Sequence, residues 1–164
     1  MAAVELMDVK LLFSRNPFVR ASGGPFAPVK PNSTADMKLP AGRNKLAIPL
    51  PDELAKRNLF EEITSAGKTR FQASFANAMD VKVTNNFAAL RVTDSIDNKP
   101  LSKVYAKLAD GSVKFHKDGY TDLRGRFDYA SVNTPERRAI ERFSVMVLSD
   151  DKGALIREAA PPQQ

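Results

Sequence analysis

The chain has 164 residues, 43% of them hydrophobic, with 25 Lys and Arg against 19 Asp and Glu and a formal net charge of +6. That length suits one ordinary domain or two small ones, and the apolar share argues against disorder. Cysteine is absent, which excludes a disulfide framework, a zinc–thiolate site and a thiol nucleophile.

The positive charge is spread out. There are 12 basic and 8 acidic residues before Asn86, and 13 and 11 from there on. A nucleic-acid binder more often gathers its charge on one arm or helix. No segment approaches the roughly 20 apolar residues that a membrane-crossing helix needs, so no membrane span is expected. Glu5 and Asp8 interrupt the first apolar stretch, which makes it a poor signal peptide. The expected location is extracellular or at the cell envelope if the chain belongs to a longer exported protein, and cytoplasmic otherwise.

In chain order, Val4–Phe13 reads as a first strand or a short helix. Residues 15–40 hold Pro17, Pro25, Pro28, Pro31 and Pro40 with Gly23-Gly24. Proline removes backbone donors, so this arm is an extended loop with at most edge-strand character. Residues 45–50 are a candidate strand, and Asp52 a cap for one helical turn through Arg57. Residues 58–64 and 68–77 then form a hairpin around Ser65-Ala66-Gly67. Phe71, Ala73 and Phe75 alternate with Arg70, Gln72 and Ser74, the period of a half-buried strand. Met79, Val81 and Val83 repeat it, and Asn85-Asn86 signals a turn and the boundary between two halves.

The second half alternates more cleanly. A strand over 87–93 is followed, after Pro100, by Val104, Ala106 and Leu108 on one face. Asp110-Gly111 reads as a two-residue hairpin turn, with Val113 and Phe115 continuing the inward pattern on the return strand. A second Asp-Gly turn is expected at Asp118-Gly119, then a turn through Thr121, Asp122 and Gly125, with Phe127 and Tyr129 facing inward. Residues 135–140 are the remaining helical candidate. Phe143, Val145 and Val147, flanked by Met146 and Leu148, suggest a strand buried on both faces. Short strands at this spacing imply an all-β fold, an antiparallel β-sandwich of Ig-like or transthyretin-like Greek-key type, with at most one or two short helical turns. Two small sandwiches in tandem fit as well. The halves are residues 1–85, with the Pro-rich arm, and 86–160, with a tail at 161–164.

The run NKPLSKVYAKL followed by GYTDLRGRFDY resembles the carboxypeptidase-regulatory-like, or transthyretin-like, β-sandwich module. Pro100, Leu101, Thr121, Asp122, Gly125 and Phe127 carry that resemblance. LPDELAKRN, FANAMDVKV and LSDDKGALIREAAPP are similar to segments near the ends of very large bacterial macroglobulin-like proteins. The resemblance implies an interaction or structural module. The transthyretin-like fold also includes a purine-pathway hydrolase, but its C-terminal Tyr-Arg-Gly-Ser is absent here, so that activity is not carried over.

No catalytic constellation emerges. His116, the only histidine, is expected to point outward near Asp118, without a nucleophile placed by any motif. Asp118, Asp122 and Asp128 lack the spacing of a calcium loop. No metal or cofactor is expected, and Asp110, Gly111, Gly119, Thr121, Asp122, Gly125 and Phe127 read as turn and register residues. Tyr105, Tyr120 and Tyr129 could form an aromatic strip, or serve in cross-strand packing. The expected function is a non-catalytic structural or protein-interaction module of a larger extracellular or envelope-associated assembly, with a protein partner or self-association. Its contacts would come from Phe18, Val19, Arg20, Phe26 and Val29 of the Pro-rich arm and the basic site Arg137, Arg138 and Arg142. The alternatives are binding of an anionic polymer, RNA or acidic glycan, through dispersed Arg and Lys, and, last, a hydrolase using His116 and Asp118.

Overall fold

The computed structural model describes residues 2–18, 33–38, 42, 47–112, 114–129 and 140–161. Val19, Arg20, Phe26, Val29, Val113, Arg137 and Arg138, with most of the Pro-rich arm and of the 135–140 helical candidate, lie outside them. Contacts divide the chain into two compact units. The first comprises Met1–Asp8 with Val19–Ala76, the second Val9–Phe18 with Asn77–Gln164. The Asn85-Asn86 turn therefore falls inside the second unit, and the segment after the first strand belongs to that unit as well.

Among the described residues the first unit carries one antiparallel sheet, with β1 (Ala2–Leu6), β2 (Ser33–Ala35), β3 (Leu59–Ser65) and β4 (Lys68–Ser74) in the order β2-β1-β3-β4. The expected hairpin forms. Ser65 pairs with Lys68, and Ala66 and Gly67 both take positive φ, 49° and 73°. This pair of left-handed residues matches the right-handed twist of the flanking strands. Val4, Leu54 and Leu59 form a small buried cluster, with Leu50 packed against it. Two expectations fail here. Residues 47–50 are not in a strand, and Asp52 is not the cap of the turn that runs through to Arg57: the Leu54 and Ala55 amides donate to the Pro51 carbonyl, and the Arg57 amide to the Leu54 carbonyl.

The second unit carries α1 (Val9–Arg15) and β5 (Met79–Thr84), β6 (Ala89–Asp94), β7 (Tyr105–Asp110), β8 (Phe115–Tyr120), β9 (Arg126–Asp128), β10 (Phe143–Ser149) and β11 (Gly153–Ala159). One sheet runs β5-β6-β9 and the other β11-β10-β7-β8. Chain order crosses from one sheet to the other after β6, β8 and β9, which is the Greek-key division of an immunoglobulin-like sandwich. Leu90, Val92 and Phe127 of the first sheet and Ala106, Leu108, Phe143, Val145 and Val147 of the second are buried. The Tyr129 and Phe143 rings meet edge to face at 6.1 Å, and a Cβ on Gly119 of β8 would lie 3.1 Å from the Phe127 ring of β9.

α1 buries Val9, Leu12 and Phe13, the i, i+3, i+4 stripe of a helix that covers one surface. Ser144 of β10 is fully buried, and its hydroxyl donates to the Pro17 carbonyl just beyond α1. A buried hydroxyl without a partner is costly, so this bond fixes the helix tail to the sheet. The strand begins at Ala89 rather than Phe87, because Asn85–Phe87 make a 3-10 turn that Ala88 ends at φ 48°. Phe87 is left 69% exposed.

The Thr-Asp-x-x-Gly-x-Phe segment is a two-sided clamp. Asp122 accepts from the Arg124 and Arg126 amides at 2.9 and 2.8 Å. Buried Thr121 donates to the Leu101 carbonyl and accepts from the Val104 amide. Gly125 has φ 71°, and a Cβ there would sit 2.3 Å from the Val92 carbonyl. Its own carbonyl accepts from the Val92 amide, and the Val92 carbonyl accepts from Leu101. This loop therefore crosses β6 at a distance that only glycine permits.

Candidate interaction surface

β7 and β8 set the surface by their register. Val104, Ala106 and Leu108 face the core, so Tyr105 and Lys107 face the other way. Tyr105 lies opposite Tyr120 and Leu148, and Lys107 opposite Asp118 and Met146. These side chains, Asp118 excepted, line a groove of about 480 Å³ together with Lys10 of α1, Lys103 from the turn before β7, and Ser149 and Asp150 at the end of β10. The Tyr105 and Tyr120 rings pack at 5.5 Å across the two strands. Burial and the 2.8 Å bond donated to Asp118 push the Tyr105 hydroxyl up to about 12, so it stays a donor at ordinary pH. Lys107 Nζ lies 5.5 Å from the Phe115 ring centre. Lys103 holds φ 58°, its amide bonded to the Thr121 carbonyl beside the Thr121 clamp.

His116 is placed differently from the expectation. The pairing shifts from Leu108–Lys117 to Ala109–Phe115, so His116 is the extra residue of a β-bulge. That shift turns its ring inward, where Nε2 meets Asp110 Oδ2 at 2.8 Å and the ring stands edge-on to Phe143. Asp118 pairs with Tyr105 instead, so the expected His116–Asp118 pair does not form. Phe115, expected inside, is 51% exposed for the same reason. Asp110 is a hub: it accepts from the Ser112 amide and hydroxyl, the Lys114 amide and His116. Burial works to raise its carboxyl, but these bonds outweigh it and hold it down to about 2. The hairpin closes through the Asp110 amide and the Lys114 carbonyl, a longer loop than the two-residue turn expected at Asp110-Gly111. Asp118-Gly119 makes no turn at all; both lie within β8.

Of the expected contact residues, Phe18 and Arg142 are brought together. The guanidinium lies 4.4 Å from the centre of the buried Phe18 ring and 3.7 Å from Glu158. Both are thus engaged in the packing of their own unit. Tyr129 leaves the aromatic strip: it is buried, and its hydroxyl donates to the Ala160 carbonyl. Lys10, Lys103 and Lys107 were not singled out from sequence. Only the odd parity of Tyr105 and Lys107 against the apolar even positions hinted at them.

Residues 78–164 match the family model of the AbpF C-terminal domain. The chain belongs to that family. Residues 6–60 match the AbpF seventh immunoglobulin-like domain. The chain is also 37% identical, over 161 residues, to Actin-binding protein F of Dictyostelium discoideum. That alignment covers 96% of this chain and 7% of the relative. No solved structure matches the chain. The AbpF C-terminal match takes in β5 to β11, the groove walls among them. The resemblance drawn from the Thr-Asp-x-x-Gly-x-Phe turn narrows to its coarser content, an Ig-like β-sandwich. The turn serves a loop that crosses a strand edge, a need that different sandwiches share, and so it is a weak guide to which family a sandwich belongs.

Proposed function

We propose that this chain is a non-catalytic, Ig-like module that takes part in binding actin within a longer polypeptide. The observation that carries the reading is the alignment to Actin-binding protein F, which runs across almost the whole chain rather than a single motif. The geometry supports the non-catalytic half. His116 is held by Asp110 beneath the sheet's bulge, and the hydroxyl of neighbouring Ser112 donates to the same carboxylate. A surface with paired tyrosines and lysines on a rigid sheet suits protein contact, where aromatic side chains carry much of the affinity.

Cosedimentation of the 164-residue chain with actin filaments tests the reading. We expect the chain to pellet with filaments in a saturable way and to stay in the supernatant without them. A chain that stays in the supernatant across the accessible filament concentrations removes actin as the partner of this segment. Pelleting that vanishes between 50 and 200 mM salt, with equal retention on heparin or poly-uridylate, would favour the anionic-polymer alternative instead.

A further inference from the structure

We propose that the groove on the outer face of β7, β8 and β10 docks an acidic polypeptide segment that carries an apolar side chain. The floor is Met146 and Leu148, and the walls are the Tyr105–Tyr120 pair, with Tyr120 67% exposed. An apolar side chain entering there covers rings that now face water.

The rim supplies the charge. Lys10, Lys103 and Lys107 line the groove against one carboxylate, Asp150. The neighbouring Asp118 already accepts from the Tyr105 hydroxyl. The Lys103 backbone is bonded to the Thr121 carbonyl, which fixes where its side chain leaves the chain, and Lys107 Nζ lies over the Phe115 ring. An ammonium already held, as that of Lys107 is, loses less freedom on binding than a free one, so it favours a carboxylate partner more.

The same face already accepts one apolar segment. α1 buries Val9, Leu12 and Phe13, its tail is bonded to Ser144, and Lys10 on the same helix borders the groove. The groove is therefore the continuation of a covered surface. A nucleic acid fits less well. Three lysines do not make a track for a phosphate backbone, and the floor is apolar. A volume of about 480 Å³ suits a few side chains of a short segment.

The test is fluorescence anisotropy on the whole chain with a labelled peptide of alternating glutamate and leucine. A matched peptide with glutamine for glutamate, and poly-uridylate, serve as comparisons. We expect the acidic peptide to bind, with about 10-fold weaker binding of the glutamine peptide and of the Lys103→Glu/Lys107→Glu chain. Tyr120→Ala should lose about as much, while Lys82→Glu/Arg91→Glu, an equal charge change at exposed positions of β5 and β6, leaves binding within about 2-fold. Melting curves confirm that each variant is folded. No binding of the acidic peptide, equal binding of the two peptides, an unaffected double variant, or tighter capture of poly-uridylate would overturn the proposal. So would a dimer in solution that Tyr120→Ala dissociates, since a second copy would then occupy the groove. The peptide result and the actin cosedimentation are read separately, so each reading can fail alone.

Discussion

The two units are built from the same kind of strand but hold together differently. Among the described residues the first shows one sheet, whose β3 and β4 side chains are mostly half-buried or exposed, over a cluster of Val4, Leu54 and Leu59. The second closes two sheets on each other, and Val92, Val145 and Val147 are fully excluded from water. A one-layer sheet has a wet side and depends on local hairpin geometry. A two-layer sandwich buries both inner faces and can hold a side chain or a loop at fixed distance. Among the described residues the groove, the Asp110 hub and the Thr121 clamp all lie in the second unit.

The contrast can be broken at the core first. Phe143→Ala, which removes a ring packed on Tyr129 and His116, should cost about 3–5 kcal/mol in urea unfolding. Phe71→Ala, whose ring stacks on Phe60 at 5.7 Å in the first unit, should cost well under half of that, because its site is only partly buried. Equal losses would show that the first unit is as tightly packed as the second.

Gly125→Ala comes next. The added Cβ meets the Val92 carbonyl at 2.3 Å in a left-handed conformation, so a loss of about 2–4 kcal/mol is expected. Hydrogen exchange should quicken at Val92 and Leu101, whose amide bonds cross there. Unchanged exchange at both would mean that the loop does not cross β6 this closely.

Acid titration separates the units more gently. Asp110 has its carboxyl held down to about 2, against an ordinary 3.8. The folded state then binds a proton less readily than the unfolded one. Its stabilising share is complete above about pH 4 and fades as pH falls toward 2. Asp110→Asn should flatten that part of the stability–pH curve, while leaving the His116 ring without its anionic partner. An unchanged curve would remove Asp110 as the acid-sensitive group.

The smallest effect should come from the β3–β4 turn. Ala66 sits at φ 49°, where a Cβ is disfavoured by roughly 1 kcal/mol. Ala66→Gly should therefore stabilise the hairpin by about 0.5–1 kcal/mol, or leave it unchanged once the greater freedom of the unfolded glycine chain is counted. A clear loss of stability would contradict the left-handed geometry.

What the amino-acid sequence determined by itself was local. The alternation at Phe71–Phe75, Val104–Leu108 and Phe143–Val147 marked strands, because successive strand side chains point to opposite faces and only one face meets the core. Ala66-Gly67 and the Thr121–Gly125 segment marked turns, because their residue types tolerate or stabilise turn geometry. What only the tertiary structure decided depended on distance between strands far apart in the chain. One extra residue in β8 moved His116 from Asp118 to Asp110, put Phe115 in water and left Asp118 to Tyr105. Asp118-Gly119, a turn by composition, became strand because its neighbours Lys107 and Ala106 offered a ladder to pair with. The lysines of the groove come from a turn and a strand close in sequence, Lys103 and Lys107, and from a helix about ninety residues earlier, Lys10. Spacing along a sequence carries no record of such convergence, since it is set by which sheet edges the folded chain brings side by side.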